Sequence, residues 1–263
     1  MIKTNFHTHT IFCDGKDTAE EMVIAAIEKG FTKLGFSGHS YVTYGDSFGM
    51  NHDVLTKYKS EINRLKEKYK DKIKIYCGIE LDYYSNLDIS DFEYVIASVH
   101  GVEKNGVIYE VDHSVEVFKQ NVSKGWNGDY YAFAKDYFDT VSNQQGDIIG
   151  HIDLLTKFNQ DDCLFSTKDA RYLASAEKAV KKLCEKELVF EINTGAISRG
   201  YRLKPYPSED ILKMIKKHKG KIIITSDCHN KDFIDCGFDI AYKLALKCGF
   251  KELYNPFEDE NNF

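Results

Sequence analysis

Proline, arginine and long apolar runs are scarce in this chain. Only 3 of its 263 residues are proline, all after residue 204, and no Gly/Ser-rich stretch reads as a linker. One domain spanning 1–263 is therefore expected, and a hydrophobic fraction of 43% is enough for a large core. No run approaches the roughly 20 apolar residues of a membrane span. Met1-Ile2-Lys3-Thr4 also leads into His7 without the apolar core of a secretory signal. A cytoplasmic protein without a membrane partner is expected. The cysteines number 7, an odd count without a Cys-x-x-Cys pair, which argues against a disulfide framework or a zinc ribbon. Bases are outnumbered 35 to 41, leaving a net charge of −6 and no case for a nucleic-acid partner. Nothing points to an obligatory protein partner.

What the chain does contain is a series of short β-like runs alternating with helical patterns. The runs end near His7 and cover 34–37, 73–79, 94–99, 147–150, 188–192 and 221–226. Their β-branched and aromatic content suits strands buried on both faces. Thr18 followed three residues later by Glu21 forms a capping box that opens a helix lasting to Gly30. Further helices are expected at 53–69, 129–142, 168–186, from Ser208 onward, and at 233–248. Residues 40–51 read as a polar aromatic loop. Residues 101–129, which include Trp126, lack clear periodicity and read as a long insertion over the open end of the fold, a lid. Seven strands alternating with helices imply parallel β/α units closed as a barrel, with no eighth strand evident. In such barrels, residues just past the strands' C-terminal ends share one mouth.

That rule gathers His7, His9, Asp14, His39, Glu80, His100, His151, Asp227 and His229, each placed after a run. Six imidazoles and three carboxylates exceed what one ion needs and fit two or three. Imidazole-rich sites with some carboxylate suit Zn, Mn or Fe. Glu80 has the chemistry to bridge two ions about 3.5–4 Å apart. Cys228, between Asp227 and His229, would face away from them and reads as core. Arginine occurs only at 64, 171, 199 and 202. Because its planar fork matches phosphate oxygens, Arg199 is the first choice for a phosphate clamp and Arg202 the second. His52 and His113 fall in expected mouth loops, and His113 is taken as a substrate contact; His218 sits in a Lys-rich helix end and receives no role.

The motifs resemble the polymerase and histidinol phosphatase (PHP) family of metal-dependent phosphoesterases. His7-x-His9 with Asp14, Gly38-His39, Gly78-Ile79-Glu80, Ser98-Val99-His100, Gly150-His151 and Ser226-Asp227-x-His229 occur in the family's order along nearly the whole chain. The resemblance implies a distorted (β/α)7 barrel, an α/β fold with three divalent transition-metal ions at the C-terminal ends of the strands. It implies His7, His9, Glu80 and Asp227 on the first ion, Glu80, His100 and His151 on the second, and Asp14, His39 and His229 on the third. Glu80, His100, Asp227 and Arg199 form the implied catalytic set.

Within the family, the length, the Ser98-Val99-His100-Gly101 run with its insertion, and Arg199 and Arg202 ahead of Pro205-Tyr206-Pro207 look like the branch that hydrolyses L-histidinol phosphate in histidine biosynthesis. The implied chemistry is attack by a metal-bridging hydroxide on a small phosphate monoester, with inversion at phosphorus. Tyr41, Tyr44, Glu110 and Asp112 are available for the cationic alcohol. Phosphotyrosine, nucleotides and sugar phosphates are alternative substrates. Metal-dependent deaminases and amide hydrolases also begin with His-x-His, but they centre on one or two metals and lack the set Asp14, His39, His229. An accessory domain of a DNA polymerase is a third reading, which the acidic balance does not support.

Overall fold

The computed structural model describes residues 2–45 and 48–257, so positions 46 and 47 of the expected mouth loop lie outside the described residues. Strand β1 (Thr4–Asn5) leads to helix α1 (Ala19–Glu28), where Thr18 and Glu21 form the reciprocal capping box read from the sequence. Strand β2 (Lys33–Phe36) pairs in parallel with β1, and helix α2 (His52–Tyr69), capped by the Asn51 side chain, connects it to β3 (Lys74–Asp82). Strand β4 (Tyr94–Ser98) lies parallel beside β3.

The chain then departs from the barrel. Strands β5 (Gly101–Lys104) and β6 (Val107–Glu110) form an antiparallel hairpin, followed by α3 (Val115–Trp126) and α4 (Tyr130–Ser142). The insertion that showed no clear periodicity thus carries regular strands and helix. Its turn, Asn105-Gly106, has φ of 52° and 80°, the left-handed pair that a tight two-residue hairpin needs. Trp126 is buried, and its indole N–H donates to Asp136 Oδ2 at 2.9 Å, where Lys104 Nζ also donates at 2.7 Å. These bonds tie the hairpin to α3 and α4.

Strands β7 (Ile148–Ile149), β8 (Val189–Asn193) and β9 (Lys221–Thr225) complete the sheet, with α5 (Ala170–Glu185) between β7 and β8 and α6 (Gly195–Ser198) and α7 (Glu209–Lys217) before β9. The order β1-β2-β3-β4-β7-β8-β9 is parallel throughout. The sheet curls until Thr8 bridges Cys228 and the His9 N–H donates to the Cys228 carbonyl at 3.0 Å. The result is a nearly closed barrel of seven strands, and no eighth joins it among the described residues. The helix expected at 233–248 begins later, because Gly237 adopts φ 75° and ends the preceding turn before α8 (Phe238–Lys247) starts.

Two apolar layers hold this shape. Inside the barrel, Phe6, Tyr76, Tyr94, Ile96, Ile148, Val189 and Ile223 pack together. Tyr94 occupies space that only glycines leave open: a Cβ on Gly35 would meet its hydroxyl at 2.4 Å, and one on Gly78 its ring at 2.3 Å. Its hydroxyl lies 2.6 and 2.9 Å from the Phe6 and Phe36 carbonyls. Phe257 stacks on Tyr76 at 4.1 Å and closes the floor. Outside, the helices bury a larger layer that includes Cys228, as expected for a residue facing away from the mouth.

Candidate metal centre

Strand β3 runs deep enough that Glu80, 1% exposed, stands in the middle of the barrel mouth. One oxygen, Oε2, faces His39 Nδ1 at 2.9 Å, His7 Nε2 at 3.3 Å and His9 Nε2 at 3.5 Å. The other, Oε1, faces His151 Nε2 at 2.9 Å and His100 Nε2 at 3.4 Å. Asp227 Oδ1 lies 3.2 Å from His9 Nε2 and 3.7 Å from His7 Nε2. Asp14 joins from the rim, with Oδ2 3.0 Å from His229 Nε2 and Oδ1 3.6 Å from both His9 Nδ1 and His39 Nε2. All nine residues gathered from the strand ends therefore meet at one place.

The donor set suits bound cations. His7 Nε2, His9 Nε2, Asp14 Oδ1 and Glu80 Oε2 are buried without a hydrogen-bond partner, an arrangement costly unless something else satisfies them. Donors held about 2.0–2.2 Å from one tetrahedral ion stand roughly 3.3–3.6 Å apart, and the spacings from His7 and His9 to Glu80 fall in that range. Ligand atoms converge within 4.8 Å in three overlapping groups: His7, His9 and Glu80; His39, Glu80 and His100; and His9, Asp14, His39 and His229. This partition differs from the implied one. His39 turns Nδ1 to Glu80 and Nε2 to Asp14, so it serves two groups, whereas His151 approaches only through its contact with Glu80.

Electrostatics keep the carboxylates ionised. Burial opposes the charge on Glu80, but His39 and His7, with His100 and His151 bonding to it, hold the acid well below its ordinary range. Asp227 is likewise lowered against burial, chiefly by Arg199 and His7. Burial together with His229 and His39 lowers His9 to about 3, so it is neutral and able to bind metal. The Asp227 backbone has φ 46°, a conformation disfavoured for a non-glycine residue and common where a functional side chain is re-aimed.

Two further carboxylates were not singled out from the sequence. Glu191 on β8 lies 2.8 Å from His7 Nδ1, and Asp82 on β3 lies 3.2 Å from His100 Nδ1. Both were legible in principle. Glu191 interrupts a buried apolar strand on the inward face it shares with Val189, and Asp82 shares the face of Glu80 two residues earlier.

Arg199 follows α6. Its Nη2 lies 3.0 Å from Asp227 Oδ2 and its Nη1 3.0 Å from His229 Nδ1. It lines a cavity of about 690 Å³ with Lys16, Tyr44, Glu110, Asp112 and His113, so the inserted segment forms one wall of the mouth. Arg202, the second expected clamp, is absent from that lining. It donates to Thr156 Oγ1 and covers the Tyr206 ring at 4.5 Å, because antiparallel pairing of Asn193 with Tyr206 folds the loop back across β8. His52 is 94% exposed on α2, and His218 lies 3.4 Å from Glu177; neither lines the cavity. Tyr41 is exposed and does not line it either. No helix among the described residues is long and apolar enough to cross a membrane.

The PHP domain model matches residues 5–195. A histidinol-phosphatase of Lactococcus lactis is 29% identical over 269 residues, covering 96% of this chain and 94% of its own. A Lactococcus lactis crystal structure of histidinol phosphate phosphatase, complexed with Zn, L-histidinol and phosphate, superposes with a TM-score of 0.71 at 26% identity, covering 95% of each chain. A Listeria monocytogenes structure assigned as a histidinol phosphatase superposes with a TM-score of 0.78 at 22% identity. It covers 90% of this chain and 99% of its own and shares the fold.

Proposed function

The chain belongs to the PHP domain family, and from that premise we propose that it is a metal-dependent phosphomonoesterase that hydrolyses L-histidinol phosphate to L-histidinol and phosphate. The observation that carries this reading is the Glu80 carboxylate, which turns each oxygen to a different set of imidazoles beneath a cavity edged by Arg199. Histidinol-phosphatases of similar length along the whole chain support the substrate. His7, His9, Glu80 and Asp227 would hold one ion, Glu80, His100 and His151 a second, and Asp14, His39 and His229 a third, drawn from Zn, Mn or Fe. The ions, when bound, supply Lewis acidity toward phosphoryl oxygens and acidify water for attack on phosphorus.

The protein's own side chains orient the substrate. Arg199 presents a planar fork at the cavity edge, with Asp227 fixing one side of it and further donors left for phosphoryl oxygens. The opposite need, a cationic alcohol, is met by the wall from the inserted segment, residues 101–129, which we read as a fixed lid. There Glu110 and Asp112 line the cavity. Burial disfavours the Asp112 carboxylate, but Lys157 and His100 bring its pKa down to about 2, so it is anionic at neutral pH. Lys157, which lines the same cavity, pairs with Asp112 Oδ2 at 3.1 Å, so Glu110 is the acid of this wall proposed to meet the cationic end of a substrate that carries both charges. His113 borders the same wall, which supports it as a substrate contact.

Phosphate release by the Zn- or Mn-loaded protein tests the assignment, with L-histidinol phosphate compared against p-nitrophenyl phosphate, AMP and phosphotyrosine. A kcat/KM about a hundredfold higher for L-histidinol phosphate is expected, which is roughly 2.7 kcal/mol of discrimination. Equal rates on all four would leave a phosphoesterase without that substrate. No hydrolysis by metal-loaded protein would favour deaminase or accessory chemistry.

A further inference from the structure

We propose that Glu191 is the positioning residue of the metal centre: it fixes His7 in the tautomer that offers Nε2 and ties three ligand-bearing strand ends together. The inference rests on the metal-centre reading above. Glu191 does not offer itself as an ion ligand, because both of its oxygens are already taken. His7 Nδ1 at 2.8 Å and Thr225 Oγ1 at 2.7 Å donate to Oε2, while the His151 N–H and Asn193 Nδ2, each at 2.7 Å, donate to Oε1. A carboxylate has about four acceptor directions, and here four donors use them. The side chain is fully buried, where an ionised group persists only with such saturation.

Because a carboxylate only accepts, the His7 proton must sit on Nδ1. In the neutral ring that an ion requires, Nε2 is then the nitrogen with the free lone pair; it lies 3.3 Å from Glu80 Oε2 and 3.7 Å from Asp227 Oδ1 and has no hydrogen-bond partner of its own. The same carboxylate grips the backbone of His151 after β7 and, through Asn193, reaches Asp227 Oδ2 at 3.2 Å after β9. One side chain on β8 thereby sets the register of ligands from β1, β7 and β9.

An isosteric amide exposes this role. In Glu191→Gln, one flip aims the NH2 at the His151 backbone N–H, which has no alternative state. The other aims it at His7 Nδ1, which can accept only if its proton moves to Nε2, the atom meant for metal. The accommodating state therefore blocks the centre without removing an atom from it.

The test pairs zinc titration against a competing chelator with 15N NMR of the histidine tautomers. The wild type should bind zinc, and its His7 should be protonated at Nδ1 in the neutral ring. Glu191→Gln should hold its tightest zinc about 10–100-fold more weakly and carry the His7 proton on Nε2. A folded variant with wild-type zinc affinity and stoichiometry overturns the proposal, even if its Tm falls, because a merely structural Glu191 would change Tm alone. Should the variant not fold, the zinc-loaded wild type decides: a His7 that carries its proton on Nε2, or none on Nδ1, overturns it. Wild-type protein that takes up no zinc contradicts the metal-centre reading, and the proposal with it.

Discussion

The floor and the rim of the centre are built differently. On the floor, His7, His9, Glu80 and His151 are at most 3% exposed and issue from strands or within a few residues of them. On the rim, Asp14, His39, His229 and Arg199 are 15–30% exposed, with Asp14 and Arg199 coming from connecting segments. Floor atoms are aimed by buried carboxylates such as Glu191, whereas rim groups largely face one another and the cavity. Rigid strands suit the step in which bonds are made and broken, where small misplacements are costly. Loops suit admission and recognition of substrate.

The largest break in that contrast should come from Glu80→Gln. Losing the shared carboxylate should lower kcat by about 10³-fold or more, near 4 kcal/mol, with zinc stoichiometry falling in parallel by elemental analysis. Next, Arg199→Ala should lower kcat/KM by roughly 10²-fold while bound zinc stays unchanged; a loss equal to that of Glu80→Gln would erase the distinction. Asp82→Ala should weaken zinc about tenfold, since His100 Nδ1 would lose its acceptor.

Protons sharpen the same comparison. Burial pushes the His7 imidazole toward neutrality, but Glu191, Glu80 and Asp227 outweigh it, and its pKa lies well above 6.5. His7 is therefore protonated at pH 7 without metal and must lose a proton to bind it. Zinc affinity should rise with pH until His7's raised pKa is passed, and titration in buffers of different ionisation enthalpy should show proton release. His9, held near 3 by burial and by His229 and His39, should contribute none. The smallest effect is expected at Arg202, which covers Tyr206 outside the cavity. Arg202→Ala should change kcat/KM by less than about threefold and stability by about 1 kcal/mol by denaturant titration.

The strand-end rule made the mouth legible. His39, His100 and His151 follow β2, β4 and β7 closely, and the sequence placed them together without any pairwise information. Glu191 escapes notice because it lies inside β8, short of its end, and Asp82 because β3 runs three residues past the expected end at 79. Arg202, the second choice for the clamp, lies off the cavity because the pairing of Asn193 with Tyr206 folds its loop back, a non-local contact that loop composition does not reveal. The hairpin in the inserted segment was signalled by Asn105-Gly106, but mixed polarity obscured its strands.

The central claim is that Glu80 joins two metal sites through its two oxygens. Anomalous diffraction at the zinc edge from crystals grown with zinc tests it most directly. The account predicts one peak against Oε2 with His7 and His9, and another against Oε1 with His100 and His151. A single peak, or none touching Glu80, would contradict it.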